Sequence, residues 1–269
     1  MEIQKVRLIT FSPTGTTGKI IKSIAEGIAA PQIEHMNLTL PQPEPQESGF
    51  SSDELALIGA PVYGGRLPLD AIKRFQQLQA KKTPALLVVV YGNRAFEDAL
   101  LELKELALSL GFLPIAGAAF IGEHSFATRE VPIANGRPDE QDTQQAIHLG
   151  RKVREKINAL QSWEEVKDLP LPGNHPYKER HALNLAPVTK ESACTLCGTC
   201  ATLCPTGAIS IEETAVSTKT EACILCCACI KGCPEQARIW ETSTVPDIAN
   251  KLNANCSERK EPEFFGVDG

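Results

Sequence analysis

Apolar runs of strand length alternate with stretches of helical periodicity through the first 160 residues of the chain. The runs predict strands at 6–11, 33–38, 55–60, 85–91 and 115–121. Helical periodicity predicts helices at 16–30, 69–80, 95–110 (stopped by Gly111) and 139–160. A strand–helix alternation of this kind implies a parallel sheet with helices on both faces. Five strands suit the doubly wound order 2-1-3-4-5. One crossover lacks its helix, because 41–53 is proline-rich and polar and reads as a long surface loop.

Past this region the pattern changes. Residues 162–186 carry Pro170, Pro172, Gly173 and Pro176 among polar and basic residues, which predicts an extended linker, either free or laid along the preceding domain. A cysteine-rich unit follows at 187–244, then a polar tail at 245–269. Phe264 and Phe265 stand side by side in that tail, which points to docking on a domain or a partner; a disordered tail is the alternative. The division expected is therefore 1–161, 162–186, 187–244 and 245–269.

Composition narrows the choice of partners. The formal net charge is −6 and no basic stripe is present, which argues against nucleic acid. The longest uncharged stretch, 106–122, is broken by Gly111 and Pro114 and does not read as a membrane span. Met1-Glu2-Ile3-Gln4-Lys5 does not read as a signal peptide.

Eight of the ten cysteines form one pattern written twice. Cys194, Cys197, Cys200 and Cys204 precede Pro205. Cys223, Cys226, Cys229 and Cys233 precede Pro234, each 29 residues after its counterpart. Both runs read C-x2-C-x2-C-x3-C-P, the bacterial iron–sulfur ligand run, so two [4Fe–4S] clusters are expected. Three close cysteines grip one cluster and the fourth ligates the other. The expected sets are Cys194, Cys197, Cys200 and Cys233, and Cys223, Cys226, Cys229 and Cys204. Zinc also uses four cysteines, but usually as two separated C-x2-C knuckles. Free thiolates need a reducing compartment, so the cytoplasm is expected. Cys227 and Cys256 lie outside the pattern and receive no role.

The loops at the carboxyl ends of the first, third and fourth strands are where such a sheet binds a ligand. Ser12-Pro13-Thr14-Gly15-Thr16-Thr17 opens a helix with hydroxyls, a glycine and free N–H groups, the makings of a phosphate site. A plain helix N-cap would use the same residues. The loop is neither a P-loop nor G-x-G-x-x-G. The other two loops are Pro61-Val62-Tyr63-Gly64-Gly65 and Tyr91-Gly92-Asn93-Arg94-Ala95.

Residues 187–242 resemble two-cluster ferredoxins, including the eighteen-residue spacer between the runs. That resemblance implies a small α+β fold of hairpins and short helices. It departs at Arg238, where the first half has Ile209. Residues 4–160 resemble flavodoxins through the pattern S/T-x-T-G-x-T and the two glycine- and tyrosine-bearing loops. This implies FMN, with Tyr63 and Tyr91 stacking on its ring and Gly64 flipping its peptide toward the flavin N5. The whole chain resembles flavodoxin–ferredoxin fusion proteins, sometimes called EFR-type ferredoxins. Segments 91–98, 122–126 and 136–139 share in that likeness, and His124 becomes a possible flavin or substrate contact; a loop histidine bonded to a backbone carbonyl is the alternative.

Electron transfer with protein redox partners is the expected function. The alternative is a flavin-dependent reductase of a small acceptor, with His124 or Tyr63 as proton donor. A flavin-free scaffold is a third reading.

Overall fold

A computed structural model describes residues 3–41, 49–181, 183–242 and 244–267. The chain opens with strand β1 (Lys5–Thr10), helix α1 (Thr16–Ile28) and strand β2 (Gln32–Asn37). Next come β3 (Gly49–Phe50), β4 (Glu54–Pro61), α2 (Leu69–Phe75) and β5 (Gln79–Ala80). β6 (Thr83–Tyr91), α3 (Ala99–Ser109), β7 (Phe112–Ile121) and α4 (Glu140–Ala159) complete the α/β part. Its main sheet runs β12-β7-β6-β4-β1-β2. The five strands expected from sequence are parallel to one another and lie in the doubly wound order.

Strand alternation divides the core. In β6, Leu87, Val89 and Tyr91 face α2 and α3, whereas Leu86, Val88 and Val90 face α1 and α4. Both faces are apolar because helices cover both. α1 and α4 touch backbone to backbone: a Cβ on Gly27 would lie 2.0 Å from Ile147 O, and one on Gly150 would lie 2.1 Å from Ile24 O.

Several expectations are corrected. The sheet has six strands, because β12 (Glu263–Phe265) pairs antiparallel with β7. Phe264 packs on Phe120 with ring centroids 5.6 Å apart, so the tail is docked, as its paired phenylalanines suggest. α2 stops at Phe75, which lets Leu78 turn into the core and the Ala80 N–H donate to Leu110 O at 2.8 Å. α3 starts four residues late because Asn93 (φ 64°) and Glu97 (φ 45°) hold left-handed backbone that no right-handed helix accepts. Of the surface loop expected at 41–53, residues 42–48 lie outside the described residues. Phe50 is buried edge-on against Phe112.

The stretch read as a linker is a strap along α3. Lys104 Nζ donates to Asp168 Oδ1 and Leu169 O, and the Asn174 and Lys178 N–H groups donate to the Asp98 carboxylate. Glu105 receives His175 and Tyr177, while Glu102 receives Arg66 and Arg180. These contacts bring the following chain to the carboxyl edge of the sheet.

The cysteine-rich part repeats itself with the 29-residue offset of its sequence. It holds β8 (Val188–Thr189), α5 (Thr199–Thr202), β9 (Ile209–Ile211), β10 (Val216–Thr218), α6 (Ala228–Lys231) and β11 (Arg238–Ile239). β9 pairs with β10, and β11 returns to pair with β8, so each half closes on the other. Helix α7 (Thr244–Asn255) leads from there into the tail. Among the described residues no helix is long and apolar enough to cross a membrane.

Candidate functional site

The first hollow of the cysteine-rich part is lined by Cys194, Cys197, Cys200 and Cys233. The second is lined by Cys204, Cys223, Cys226 and Cys229, with Cys227 at its border. Each hollow thus takes three cysteines from one run and the fourth from the other. Among the described residues no three His, Cys, Asp or Glu side chains converge closely enough to hold a single ion. Sulfurs spread round a hollow suit a multi-iron group. Local geometry favours this arrangement. Leu196 (φ 55°) and Leu225 (φ 58°) turn each loop left-handed. The Leu196, Ala208 and Ala237 N–H groups donate to the sulfurs of Cys194, Cys204 and Cys233 at 3.4, 3.3 and 3.2 Å. Such bonds stabilise negative sulfur.

The two hollows differ in surroundings. Cys197 is exposed, and the Thr199 hydroxyl holds its thiol below the usual range. Burial pushes the Cys226 thiol up to about 12 and raises Cys223 and Cys229 as well, with Cys204 among the thiols that add to the effect. Without a metal these buried sulfurs would stay protonated, so binding a metal must release protons.

The second hollow faces the sheet edge. Ile224, on its wall, packs against the core on the α2–α3 face of the sheet. Tyr63 bonds Ser125, and burial raises its hydroxyl well above its ordinary value, with the nearby Cys226 and Cys227 adding to this. Arg74 donates to Leu38 O and Thr39 O on one side and to Pro205 O on the other. Lys231 pairs with Glu123, and Trp240 meets Phe126 edge-on at 6.2 Å.

At the first loop, Gly15 takes φ 83° and caps α1. Ser12 Oγ accepts from the Gly18 N–H at 3.0 Å, and the Thr14 and Thr16 hydroxyls lie 3.5 Å apart. The Thr17 hydroxyl is fully buried and has no hydrogen-bond partner. An orphaned hydroxyl beside a helix N-terminus fits an anionic group such as a flavin phosphate. Thr39 was not read from sequence, yet its hydroxyl accepts from the Ser12 N–H at 2.8 Å.

The third-strand loop follows Pro61 and Val62 in a tight turn. Tyr63 and Arg66 exchange backbone bonds, with Gly64 at φ 63° and Gly65 at φ 88°. Gly64 is exposed and open, while Gly65 is pressed on Glu97. In the fourth-strand loop, Tyr91 does not present its ring at the edge. It follows Leu87 and Val89 into the core, 4% exposed and 5.5 Å from Phe96, and burial raises its hydroxyl to about 12. The stacking role expected of Tyr91 is therefore not supported by its geometry.

Gly92 carries the His124 ring so closely that a Cβ would lie 2.3 Å from it. His124 Nδ1 accepts from the Phe126 N–H at 3.0 Å, and burial, with Lys231 and Arg94 nearby, lowers its pKa to about 4. Asn93 Nδ2 donates to Cys256 O and Glu258 O of the tail at 2.7 and 2.8 Å, and its Oδ1 is buried without a hydrogen-bond partner. Arg94 pairs with Glu97, and its carbonyl accepts from Lys260. Ala95 continues this loop toward α3. The segment 256–260, whose sequence gave no sign of it, thus covers the fourth-strand loop.

These features define a two-part protein: a doubly wound α/β unit of flavodoxin-type strand order, with a small ferredoxin-like unit set at its carboxyl edge. Residues 187–210 match the family model described as a 4Fe-4S binding domain, so the chain carries a 4Fe–4S binding domain joined to that α/β unit. The match includes the first cysteine run. No curated protein matches the chain. Among solved structures, a flavodoxin from the domain Archaea is 13% identical, covers 57% of this chain and 99% of its own, and has a TM-score of 0.39. Oxidised flavodoxin 1 from Bacillus cereus is 18% identical over 58% of this chain and 99% of its own, with a TM-score of 0.38. Rubredoxin oxygen:oxidoreductase from Desulfovibrio gigas is 12% identical, with a TM-score of 0.39; the match covers 59% of this chain but 37% of that one.

Proposed function

We propose that this protein is an electron carrier holding two [4Fe–4S] clusters and FMN, and that it exchanges electrons with protein redox partners. One observation carries the reading: the hollow of Cys204, Cys223, Cys226 and Cys229 abuts Tyr63 at the sheet edge where a flavin ring would lie. Once bound, the clusters supply one-electron steps and the flavin one- or two-electron steps.

The chain's own residues do the rest. The Cys194, Cys197, Cys200 and Cys233 set holds one cluster toward solvent, and the second set holds the other behind Tyr63 and Ile224. Ser12, Thr14, Thr16 and Thr17 bind the flavin phosphate with the first turn of α1, and Gly15 lets the loop turn. Val62, Tyr63, Gly64 and Gly65 form one wall of the ring site, and Gly92 with His124 forms another. Glu123–Lys231, Arg74–Pro205 and Phe126–Trp240 join the two units. Eight thiolate ligands, with Cys227 and Cys256 outside the two runs, suit a reducing compartment such as the cytoplasm.

A reductase of a small acceptor would need a poised acid. His124 is neutral with its Nδ1 already occupied, and the Tyr63 hydroxyl is buried and bonded to Ser125. Neither is set up for that task. The test is stoichiometry. Anaerobically reconstituted protein should hold about eight irons and one FMN per chain; four irons, zinc, or no flavin would defeat the proposal.

A further inference from the structure

Arg238 breaks the internal repeat. Its counterpart 29 residues earlier is Ile209, an apolar residue 8% exposed beside Cys200 and Cys229. Arg238 is only 2% exposed and lines both cysteine hollows. Nη1 donates to Thr189 Oγ1 at 2.7 Å, and Nη2 donates to Pro187 O at 2.6 Å and Thr218 Oγ1 at 2.9 Å, while the guanidinium also hydrogen-bonds the Cys229 sulfur. Its Nε has no hydrogen-bond partner. Among the described residues no carboxylate forms an ion pair with it, and Glu235, at the rim of the first hollow, is exposed.

A buried guanidinium without a counter-charge is costly, and buried cations are ordinarily paired. The groups that can pair this one are sulfurs. Cys200 of the first hollow and Cys223 and Cys229 of the second all lie within its electrostatic reach. Four thiolates round an oxidised cubane carry a net charge of about −2, and uptake of one electron makes this about −3 with no proton or bond exchanged. A fixed cation nearby stabilises the more negative state more strongly.

We propose that Arg238 is the common counter-cation of both [4Fe–4S] sites and raises the reduction potential of each. The inference rests on the two-cluster reading above. It assigns a tuning role to a residue outside every ligand set and explains why the repeat departs from its apolar pattern at this position.

Redox titration of the reconstituted holoprotein, followed by electron paramagnetic resonance, tests it. Arg238→Gln keeps polar contacts but removes the charge, and should lower both midpoints by at least a tenfold change in the one-electron equilibrium, about 59 mV. Arg238→Lys should recover most of that shift. Thr189→Val removes one anchoring bond without altering charge and should leave both midpoints in place. Full iron content in Arg238→Gln with unmoved midpoints would overturn the proposal, as would an equal shift in Thr189→Val. If Arg238→Gln does not retain iron, Arg238→Lys and Arg238→Met decide. Iron retained with lysine but not with methionine supports the charge role, and equal behaviour of the two overturns it. Wild-type protein without two clusters would instead defeat the reading beneath.

Discussion

Removing residues 256–269 should loosen the sheet and the flavin loop together. This tail supplies β12, whose Phe264 and Phe265 are half-buried on opposite faces of the sheet. Two half-buried phenylalanines contribute about 2 kcal/mol together. The tail also gives Asn93 two carbonyl acceptors and Arg137 a third, at 2.7 Å on Lys260 O, each bond worth about 1 kcal/mol before water replaces it. The Arg259–Asp139 pair is exposed at both ends and adds little. The loss is therefore about 4 kcal/mol, which for a chain of this size lowers the melting midpoint by roughly 10 °C. Because Asn93 sits in the loop that follows β6, the same deletion should weaken flavin retention. Calorimetry of the truncated holoprotein and its flavin content after gel filtration check both effects. A midpoint within about 2 °C of wild type, with flavin fully retained, would refute the claim that the tail is part of the sheet.

Replacing the fourth cysteine of either run separates the two hollows. Cys204→Ala should cost about half the iron and disconnect the flavin from external donors. Cys233→Ala should cost the same iron but leave the cluster beside Tyr63 in exchange with the flavin; iron analysis, and cluster-to-flavin electron transfer after reduction without a partner protein, distinguish them. Thr17→Val removes an unpartnered buried hydroxyl, so apoprotein stability should hold or rise while FMN affinity falls about tenfold, measured by fluorescence quenching. Gly150→Ala drives a methyl into Ile24 O and should destabilise the α1–α4 contact by about 3 kcal/mol in chemical unfolding. His124 is neutral in the fold with a pKa near 4, whereas in the unfolded chain it titrates at its usual value of 6.5. Below pH 6.5 only the unfolded state gains its proton, so stability falls from about pH 6.5 to about pH 4 by up to about 3 kcal/mol. His124→Gln should remove that part of the slope in melting curves recorded across this range, and an unchanged slope would exclude His124 as its source.

Much of the frame was legible because short-range pattern determines it. The aliphatic run of β6 can be buried on both faces only in a covered parallel sheet, and the cysteine spacing leaves few chemistries open. The same alternation that reveals β6 also places Tyr91 inward with Leu87 and Val89, so its position was readable even though a flavin role was expected. What escaped depends on pairings distant in sequence. Asp98 receives Asn174 and Lys178, and Arg74 meets Pro205; no periodicity announces such partners. The sequence left open whether the strap is free or laid along the α/β unit for this reason, since its prolines are visible locally and its anchors on α3 are not. β12 was hidden because three residues are too few to show a period, although Phe264 and Phe265 marked the place. α3 begins late because Asn93 and Glu97 adopt left-handed backbone, which composition alone does not reveal.

The remaining differences between the two halves follow from where each half faces. Gly198 (φ 77°) and Cys227 (φ 58°) occupy the same left-handed position ahead of α5 and α6. A Cβ at Gly198 would meet nothing within 4 Å, so glycine there simply relieves the backbone. At Cys227 the chain accepts about 1 kcal/mol or more of left-handed strain to place a side chain, 3% exposed, in the seam beside Tyr63. The ligand positions diverge in the same sense, with Cys197 exposed and Cys226 buried. The cysteines of the second hollow are therefore the more shielded, on the side of the α/β unit. On the proposed reading this makes the two clusters consecutive stations, not duplicates. A partner protein would exchange with the more exposed site, the more shielded site would exchange with the flavin, and Arg238, which lines both hollows, would sit between them.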